Sequence, residues 1–343
     1  MFGLDVLLAR PAIPLPHGRP KTRVGLLAHA ASRDLNGVHA AHRLMEKPDW
    51  QLLRLFSPEH GFHGTGAAGE IIHSQTHPEL NLPIHSLYGD TRTPPPEWLE
   101  GLDLMVIDLQ DLGIRCYTYA STLQNVLLAC ASAKLPVLVL DRPTPLAGIV
   151  DGPDLDPRFR SFVGQIDLPL VYGLSQGELA RHLQQHDPRL KYLDLEVISA
   201  TLPSHELPWY PPSPAIGSPQ SARLYPLTVW CEAIPDVSVD RGGARSFQIW
   251  AMPDLEPDVL IPKLQQPGLR IESGRSEKEG WPALCFHLDP LADWKPVTTA
   301  THLLTQLRNQ LGPDRLFAHP GARPEFFDKL MGTDQIRLQI KKG

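Results

Sequence analysis

The segment from residue 52 to residue 73, LLRLFSPEHGFHGTGAAGEIIH, places reactive residue types directly after an apolar run. Glu59, His60 and His63 lie close together, and the glycine run GTGAAG follows at residues 64–69. Three kinds of site use such residues: a glycine loop that binds a nucleotide, a histidine cluster that binds a metal, and a carboxylate that transfers protons. The rest of the chain has to distinguish between them.

The glycine run satisfies the G-x-G-x-x-G pattern of dinucleotide-binding loops, and Asp90 lies near the position of a ribose-binding acid. In that fingerprint the glycines follow a strand directly and open a helix. Here SPEHGFH separates the run from the apolar segment, and Pro78 and Pro83 interrupt the following sequence, which is typical of an extended loop. The context argues against a nucleotide, and we expect no cofactor.

A metal site would use histidine and carboxylate side chains, which zinc accepts as ligands: Glu59, His60, His63, His73 and His77. Their spacing differs from H-E-x-x-H, and no predicted helix presents two of these imidazoles on one face. The chain has 15 histidines, so scattered surface or hydrogen-bonded histidines are the simpler interpretation. We therefore expect no metal.

Proton transfer by carboxylates is the third possibility. A glutamic acid held between a proline and a glycine turn, in a crevice partly roofed by Phe62, Tyr117 and Tyr119, is suited to act as a general acid. A second carboxylate within reach completes the pair that most glycosidases use. Asp108 and Asp111 are the candidates by position, and capping of a following turn is an equally good interpretation of Asp108.

The elements that position these residues are short apolar runs with strand character, at residues 24–29, 52–57, 104–110, 137–142 and 195–200. Segments with helical periodicity lie between them at 39–47, 121–134 and 175–186. The last of these begins with a capping box of Ser175 and Glu178. This alternation predicts a Rossmann-like α/β fold, a mostly parallel sheet with helices on both faces.

The pattern changes near residue 205, where proline-rich chain and shorter mixed elements replace the alternation. A chain of 343 residues exceeds what one core usually organises, so two domains are expected. We predict a Rossmann-like catalytic domain at residues 1–205 and a smaller α+β C-terminal domain at residues 206–343.

Ionisable or amide side chains follow four of the predicted strands. The carboxyl ends of parallel strands meet at one edge of a sheet, where ligands bind. An unpaired charge beside a dry sheet costs several kcal/mol unless it is paired or used. The sequence therefore predicts a functional cleft lined by His29, Glu59, His60, Asp108, Gln110, Asp111, Asp141 and Arg142.

Charge and hydropathy argue against two classes of binding partner, nucleic acids and membranes. The net charge of −6 argues against nucleic acid, and no stretch approaches the roughly 20 apolar residues that cross a bilayer. The N-terminal sequence lacks the basic and apolar regions of a signal peptide, so we expect a cytoplasmic location without membrane contact. The sequence does not indicate an oligomeric state.

Cysteine usage shows no paired spacing of the C-x-x-C kind. The expectation is therefore buried free thiols at Cys116, Cys130, Cys231 and Cys285.

Several long motifs, in order over almost the whole chain, resemble the DUF1343 family, which contains exo-acting β-N-acetylmuramidases of the NamZ type. The motifs are FSPEHGFHGTGAAGE, VIDLQDLGIRCYTYASTL, VLVLDRPTPLAGIVDGP, VYGLSQGELA, WYPPSP and FFDKLMGTDQIRLQI. The resemblance implies a Rossmann-like N-terminal domain with the active cleft and a smaller C-terminal domain. It also implies hydrolysis of a terminal β-1,4-linked N-acetylmuramic acid from peptidoglycan fragments.

The family's Pro-Glu-His-Gly motif falls on residues 58–61 and implies that Glu59 is the catalytic acid/base, with His60 orienting it or the sugar. Asp108 or Asp111 would then be the base, the nucleophile or an orienting group. The motif at residues 108–119 implies that Arg115 binds the lactyl carboxylate, since a guanidinium can hold a carboxylate by two hydrogen bonds. Further substrate-binding candidates are Tyr117, Tyr119, His29, Gln110, Asp141, Arg142, Arg241 and Arg245.

The chain departs from the family's pattern where His29, Thr144 and Ala215 replace asparagines and Val239 replaces a carboxylate, for which Asp240 is a possible substitute. Each lost hydrogen bond is worth about 0.5–1.5 kcal/mol, which is enough to change specificity or turnover. A second interpretation therefore stays open, a sugar- or muropeptide-binding protein that kept the cleft and lost turnover.

Overall fold

The computed structural model of the protein describes residues 1–10, 21–312 and 314–342. The chain divides into two compact units. The first comprises Met1–Gly113, Thr118–Ala147 and Leu174–Pro214, and the second comprises Ile114–Tyr117, Gly148–Gly173 and Ala215–Gly343. The prediction of a single boundary after residue 205 rests on composition, which carries no sign of the two short segments that belong with the second unit.

A seven-stranded sheet organises the first unit. Its strands are β1 (Thr22–Ala28), β2 (Trp50–Ser57), β3 (Gln75–Thr76), β4 (Pro83–Ser86), β5 (Leu104–Asp108), β6 (Val137–Leu140) and β7 (Leu195–Ile198). Their order is β3-β4-β2-β1-β5-β6-β7, with β3 antiparallel to β4 and every other neighbouring pair parallel. The predicted mostly parallel α/β sheet is confirmed.

Five α-helices belong to the described part of this unit: α1 (Gly3–Ala9), α2 (Ala40–Glu46), α3 (Pro96–Leu99), α4 (Tyr119–Ala133) and α5 (Gln176–His186). Helix α2 packs on β1 and β2, while α1 and α5 pack on β6 and β7. The core contains fully buried aliphatic side chains such as Leu26, Leu44, Leu55 and Val106. Strand β1 is buried over its last five residues, as expected for a strand covered on both faces.

Two strands of this sheet, β3 and β4, lie where the sequence predicted an extended loop. Strand β4 begins at Pro83 and runs parallel to β2, with Ile84 opposite Leu55. Proline has no N–H to donate to a neighbouring strand. It is tolerated as the first residue of a strand, where this hydrogen bond is not required. Strand β3 pairs antiparallel with β4, so the prediction of a loop is wrong for residues 75–76 and 83–86.

The strand order reverses direction between β1 and β5. From β1 the chain proceeds to one side through β2 and β4, and to the other side through β5, β6 and β7. In open α/β sheets, ligands bind beyond the carboxyl ends of the strands at such a reversal. His29 directly follows β1 and Asp108 ends β5, so predicted site residues lie at this edge.

The second unit combines a small antiparallel sheet with helices. Its three strands are ordered β8 (Ile249–Ala251), β10 (Pro282–Leu288) and β9 (Leu269–Arg275). Its α-helices are α6 (Pro219–Thr228), α7 (Pro257–Leu264), α8 (Pro296–Leu311), α9 (Asp314–Phe317), α10 (Pro324–Met331) and α11 (Gln335–Lys342). The prediction of a second, smaller domain that contains both helices and strands is confirmed.

The cysteines are free, as predicted. Cys116, Cys130 and Cys285 are buried and Cys231 is half-buried. Burial raises the pKa of the Cys116 and Cys130 thiols to about 12, so both stay protonated at neutral pH. Of the helices in the described ranges, none combines the length and apolar character that crossing a bilayer requires.

The capping box predicted at the start of α5 is present. Ser175 Oγ accepts a hydrogen bond from the Glu178 N–H at 3.2 Å, and Glu178 Oε2 accepts one from the Ser175 N–H at 2.8 Å. The Ser175 hydroxyl also donates to the Asp141 carboxylate at 2.9 Å. One hydroxyl therefore connects the start of α5 to the chain that follows β6.

We predict that Ser175→Ala lowers the free energy of unfolding by about 1–2 kcal/mol, because it removes the cap and the hydrogen bond to Asp141. Urea denaturation with linear extrapolation measures the change. Ser132→Ala is the control, since Ser132 is exposed on α4 and bonds the Leu128 carbonyl of its own helix. The control should stay within about 0.5 kcal/mol of the wild type, and equal losses in both variants would contradict the prediction.

Candidate active site

Glu59 lies in the turn that follows β2, and the glycine run folds back onto this turn. His60 and Gly61 both adopt the left-handed conformation, with φ of 70° and 76°. The Gly66 N–H donates to the His60 carbonyl at 3.1 Å, and His60 Nδ1 lies 2.9 Å from the Gly66 carbonyl oxygen. The run therefore packs on the Glu59–His60 pair and does not open a helix.

The Glu59 carboxylate accepts hydrogen bonds at both oxygens. The Gly69 N–H donates to Oε1 at 2.7 Å, and the Thr118 hydroxyl donates to Oε2 at 2.6 Å. A hydroxyl can donate to a carboxylate or accept from a carboxylic acid, so the Thr118 contact suits both protonation states of an acid/base. Glu59 forms no ion pair with the described residues and is 8% exposed, so it is fixed in place without being sealed off.

His29 is a buried, uncharged connection between strand ends. Its Nε2 accepts from the Gln110 N–H at 3.0 Å, and its Nδ1 lies 3.2 Å from the Pro212 carbonyl oxygen. Because Nε2 accepts, the neutral ring carries its proton on Nδ1 and donates it to Pro212. Burial, reinforced by the charge of Arg142, lowers the pKa of His29 well below its ordinary value. This geometry favours a positioning role over direct contact with a sugar.

Tyr119 supports the backbone of Glu59. Its hydroxyl donates to the Pro212 carbonyl at 2.8 Å and lies 3.3 Å from the Glu59 carbonyl oxygen. The ring is 1% exposed and meets the His29 ring edge-on, with centroids 4.9 Å apart. A ring buried in this way is suited to fixing the turn rather than to stacking on a substrate.

Asp108 and Arg142 form a fully buried ion pair. Arg142 Nε binds Asp108 Oδ1, and Arg142 Nη2 binds Asp108 Oδ2 at 3.0 Å. Arg142 Nη2 also donates to the Arg33 carbonyl at 2.7 Å. Burial raises the pKa of Asp108, and the guanidinium opposes that shift. The ion pair indicates that Asp108 has a structural role at the end of β5.

The other acidic and amide candidates of this unit lie after β5 and β6. Asp141 accepts from the Gly177 N–H at 2.7 Å, in addition to the Ser175 hydroxyl, and so binds the first turn of α5. Gln110 Nε2 donates to the carbonyls of Asp111 and Pro143, both at 3.0 Å. Asp111 is 2% exposed. Their roles in binding or catalysis stay predictions.

Arg115 belongs to the second unit, where backbone carbonyls surround it. Its Nη1 donates to Leu168 at 3.0 Å and its Nη2 to Met331 at 2.6 Å. Burial lowers the pKa of Arg115 to about 10. A Cβ atom at Gly332 would come within 2.5 Å of Arg115 Nη2, so the guanidinium packs directly against this backbone. These contacts favour a scaffold role over binding of a lactyl carboxylate.

The remaining candidates of the second unit also contact neighbours within that unit. Tyr117 is 6% exposed and packs edge-on against Tyr225 at 6.0 Å. Arg241 pairs with Glu232, and Arg245 donates to the Arg275 carbonyl at 2.8 Å. Val239 is buried, and Asp240 accepts from the Ser276 hydroxyl at 2.7 Å and from the Glu277 N–H at 3.0 Å. Substrate binding by these residues is untested and stays a prediction.

Sequence reasoning missed two groups that hold Glu59, the Thr118 hydroxyl and the Gly69 N–H. Thr118 lies between two tyrosines, just before the helix predicted at residues 121–134, and a contact across 59 residues leaves no local pattern. In the described parts of the chain, no three histidine, cysteine or acidic side chains converge as metal ligands. The arrangement around Glu59 is therefore that of a hydrogen-bonded carboxylate.

We predict that Asp108→Asn lowers the free energy of unfolding by about 3–5 kcal/mol, because it leaves the Arg142 guanidinium buried without its counter-ion. Thermal and urea unfolding measure the loss. The matched control is Glu196→Gln, which weakens the exposed Arg10–Glu196 pair at 2.5 Å and should cost less than about 1 kcal/mol. An Asp108→Asn variant as stable as this control would contradict the structural role.

Comparison with known proteins agrees with the fold and the motifs. The exo-beta-N-acetylmuramidase NamZ N-terminal family model matches residues 24–220, and the corresponding C-terminal model matches residues 223–343. The peptidoglycan beta-N-acetylmuramidase NamZ of Bacillus subtilis (strain 168) is 30% identical over 339 residues, which cover 94% of this chain and 80% of the relative.

Two crystal structures of DUF1343 family proteins from Bacteroides fragilis NCTC 9343 have similar folds. One has a TM-score of 0.82 at 29% identity and covers 92% of this chain and 85% of its own. The other has a TM-score of 0.73 at 25% identity and covers 100% of this chain and 90% of its own. The sequence and fold together show that the chain belongs to the NamZ family of exo-β-N-acetylmuramidases.

Proposed function

We propose that this protein is an exo-β-N-acetylmuramidase that releases a terminal N-acetylmuramic acid, or a related amino sugar, from peptidoglycan fragments. Family membership supports the reaction class. The observation that carries the assignment of the reactive group is the Glu59 carboxylate, which is recessed, bound by two neutral donors and still partly exposed. No cofactor is part of the proposed reaction.

In the proposed mechanism, Glu59 in its acid form gives its proton to the glycosidic oxygen as the bond from that oxygen to the sugar C1 breaks. The leaving saccharide departs as a neutral alcohol. A water oxygen then completes the bond to C1, and a base takes the proton that this water loses. The Gly69 N–H and the Thr118 hydroxyl restrict the carboxyl group to one orientation during the transfer.

The second carboxylate of the proposed pair is Asp111 rather than Asp108. Arg142 binds both oxygens of Asp108, which commits this carboxylate to the ion pair. Asp111 follows the same strand, three residues later. We assign the base or nucleophile role to Asp111 and a positioning role to Asp108.

We predict that Glu59→Gln lowers kcat on a disaccharide with a terminal N-acetylmuramic acid by about 10²–10⁴-fold, because an amide cannot give a proton to the departing sugar alcohol. Chromatography of the released N-acetylmuramic acid measures the rate, and circular dichroism checks the fold. Glu70→Gln is the matched control, since Glu70 is an exposed acid of the same loop that accepts from the Ala67 N–H at 2.7 Å. The control should keep activity within about threefold of the wild type.

Two outcomes of this experiment would contradict the proposal. Wild-type activity in Glu59→Gln would exclude Glu59 as the acid/base. An inactive wild type that still binds muropeptides in calorimetry would favour the alternative, a sugar-binding protein on the same fold. The replacements at Val239 and Ala215 are the features that motivate this alternative.

We predict that Thr118→Val lowers kcat/KM by up to about 10-fold, because the isosteric side chain cannot form the hydrogen bond to Glu59. Thr118→Ser keeps the hydroxyl and should keep most of the activity. Steady-state kinetics of the two variants on the same disaccharide measure the difference. Equal activity in both variants would show that the hydroxyl does not position the carboxylate.

The cytoplasmic location expected from the sequence stays a prediction, and we propose a role in cell-wall recycling together with it. If they hold, the substrates are saccharides or muropeptides that have already been cut from the wall. Immunoblotting of cytoplasmic and extracytoplasmic fractions of the source cells tests the location.

A further inference from the structure

The first unit contains a pocket of about 390 Å³ beside the turn that carries Glu59. Phe62 and His63, which follow Glu59 in this turn, form one side of it. The remaining side chains come from the chain before and within α2 and from the chain after β3. They are Ala30, Arg33, Val38, His39, His42, His77 and Glu79. The pocket thus shares a turn with the proposed catalytic group and lies wholly within one unit.

Planar rings form much of the lining of this pocket. His77 is at the centre of the ring contacts, with its centroid 5.6 Å from Phe62, 5.2 Å from His63 and 6.1 Å from His42. Pockets lined by rings with a few fixed polar groups are typical small-molecule sites, because the rings supply contact area and the polar groups supply orientation. This combination suits a sugar that carries a polar substituent.

The fixed cationic group in the lining is Arg33. Its Nε donates to the Ala30 carbonyl at 2.9 Å and its Nη1 to the Gly37 carbonyl at 2.7 Å. These bonds hold the guanidinium in place, while Nη2 has no hydrogen-bond partner among the residues that the structure describes. A fixed guanidinium with a spare N–H group is suited to binding a carboxylate.

The other charged and titratable groups of the lining leave Arg33 as the dominant positive charge at neutral pH. Burial lowers the pKa of His39 to about 4 and also lowers the pKa of His77, so both rings are neutral at pH 7. Glu79 is the acidic residue of the lining. It lies 3.3 Å from His42 Nε2, and its side chain is 75% exposed, which places its charge largely in solvent.

We propose that this pocket is a subsite for a carboxylate-bearing part of the saccharide, with Arg33 binding the carboxylate and the rings of Phe62, His63 and His77 packing against the sugar. The inference rests on the proposed function, whose substrate is rich in carboxylates. The carboxylate has two possible sources, the lactyl group of the terminal sugar and an acidic substituent on the leaving saccharide.

The test compares the wild type with Arg33→Gln on three substrates. These are an aryl N-acetylmuramide, the same compound with its lactyl group converted to a methylamide, and a peptidoglycan trisaccharide whose leaving part contains N-acetylmuramic acid. We expect Arg33→Gln to raise KM about 10-fold or more with kcat little changed, since the lost contact binds ground and transition states alike. A penalty on the aryl muramide that vanishes with its methylamide identifies the lactyl carboxylate. A penalty confined to the trisaccharide identifies the leaving part.

His63→Ala provides a second variant that should not disturb folding. His63 is exposed and has no hydrogen bond to the described residues, and its ring contacts Phe62 and His77. We expect its KM to rise about two- to fivefold. His73→Ala is the matched control, because His73 is an exposed histidine of the same loop that does not line the pocket. An unchanged KM in both Arg33→Gln and His63→Ala would overturn the subsite. If Arg33→Gln fails to fold, an unchanged KM in His63→Ala overturns it.

A binding measurement separates this inference from the proposed function. Calorimetry measures the binding of free N-acetylmuramic acid and of N-acetylglucosamine, so it needs no turnover. The two proteins compared are the single variant Glu59→Gln and the double variant that also carries Arg33→Gln. We expect the acidic sugar to bind at least 10-fold more tightly than the neutral one, and the preference to disappear in the double variant. Equal binding of both sugars by Glu59→Gln would overturn the subsite even if the enzyme is active. A preference that depends on Arg33 would support the subsite even if hydrolysis is not found.

Discussion

The buried ion pair between Asp108 and Arg142 is the interaction on which this edge of the sheet depends. It connects the end of β5 to the chain after β6, and the bond from Arg142 to the Arg33 carbonyl extends it to the loop after β1. Removing two charges from water costs several kcal/mol per ion, so the pair is tolerable only when both partners are in place. The same contact therefore fixes the strand ends at the reversal of strand order and the loop that carries the Arg33 side chain.

The glycine run shows how one arrangement of backbone can serve different chemistry. In nucleotide-binding folds, the N–H groups of such loops bind a phosphate, because successive backbone N–H groups form a concave site for an anion. Here the run turns back on His60, and the Gly69 N–H binds the carboxylate of Glu59. The anion is thus part of the protein itself. This explains why the sequence pattern of a dinucleotide loop is present without the helix that normally follows it.

The sequence was sufficient to predict the sheet and the place where polar groups gather. Apolar runs with helical segments between them specify parallel strands, and the residues that end such strands must share an edge, as His29 and Asp108 do. The sequence was insufficient where the structure or role of a residue depends on a partner that is distant along the chain. Strand β4 is stabilised by pairing with β2, which outweighs the local effect of Pro83. Likewise, a carboxylate such as Asp108 is indistinguishable from a catalytic one until its partner Arg142, 34 residues away, is known. Thr118 depends in the same way on Glu59.

Arg115 and Gly332 carry a constraint that extends beyond this one chain. The guanidinium occupies the space in which a side chain at position 332 would have to start, and it binds the carbonyl of the preceding residue, Met331. Gly332 also ends α10 with φ of 76°, a conformation that disfavours residues with a Cβ atom. The two positions are therefore expected to vary together among homologues, because a larger residue at 332 becomes acceptable only where a shorter side chain replaces the arginine.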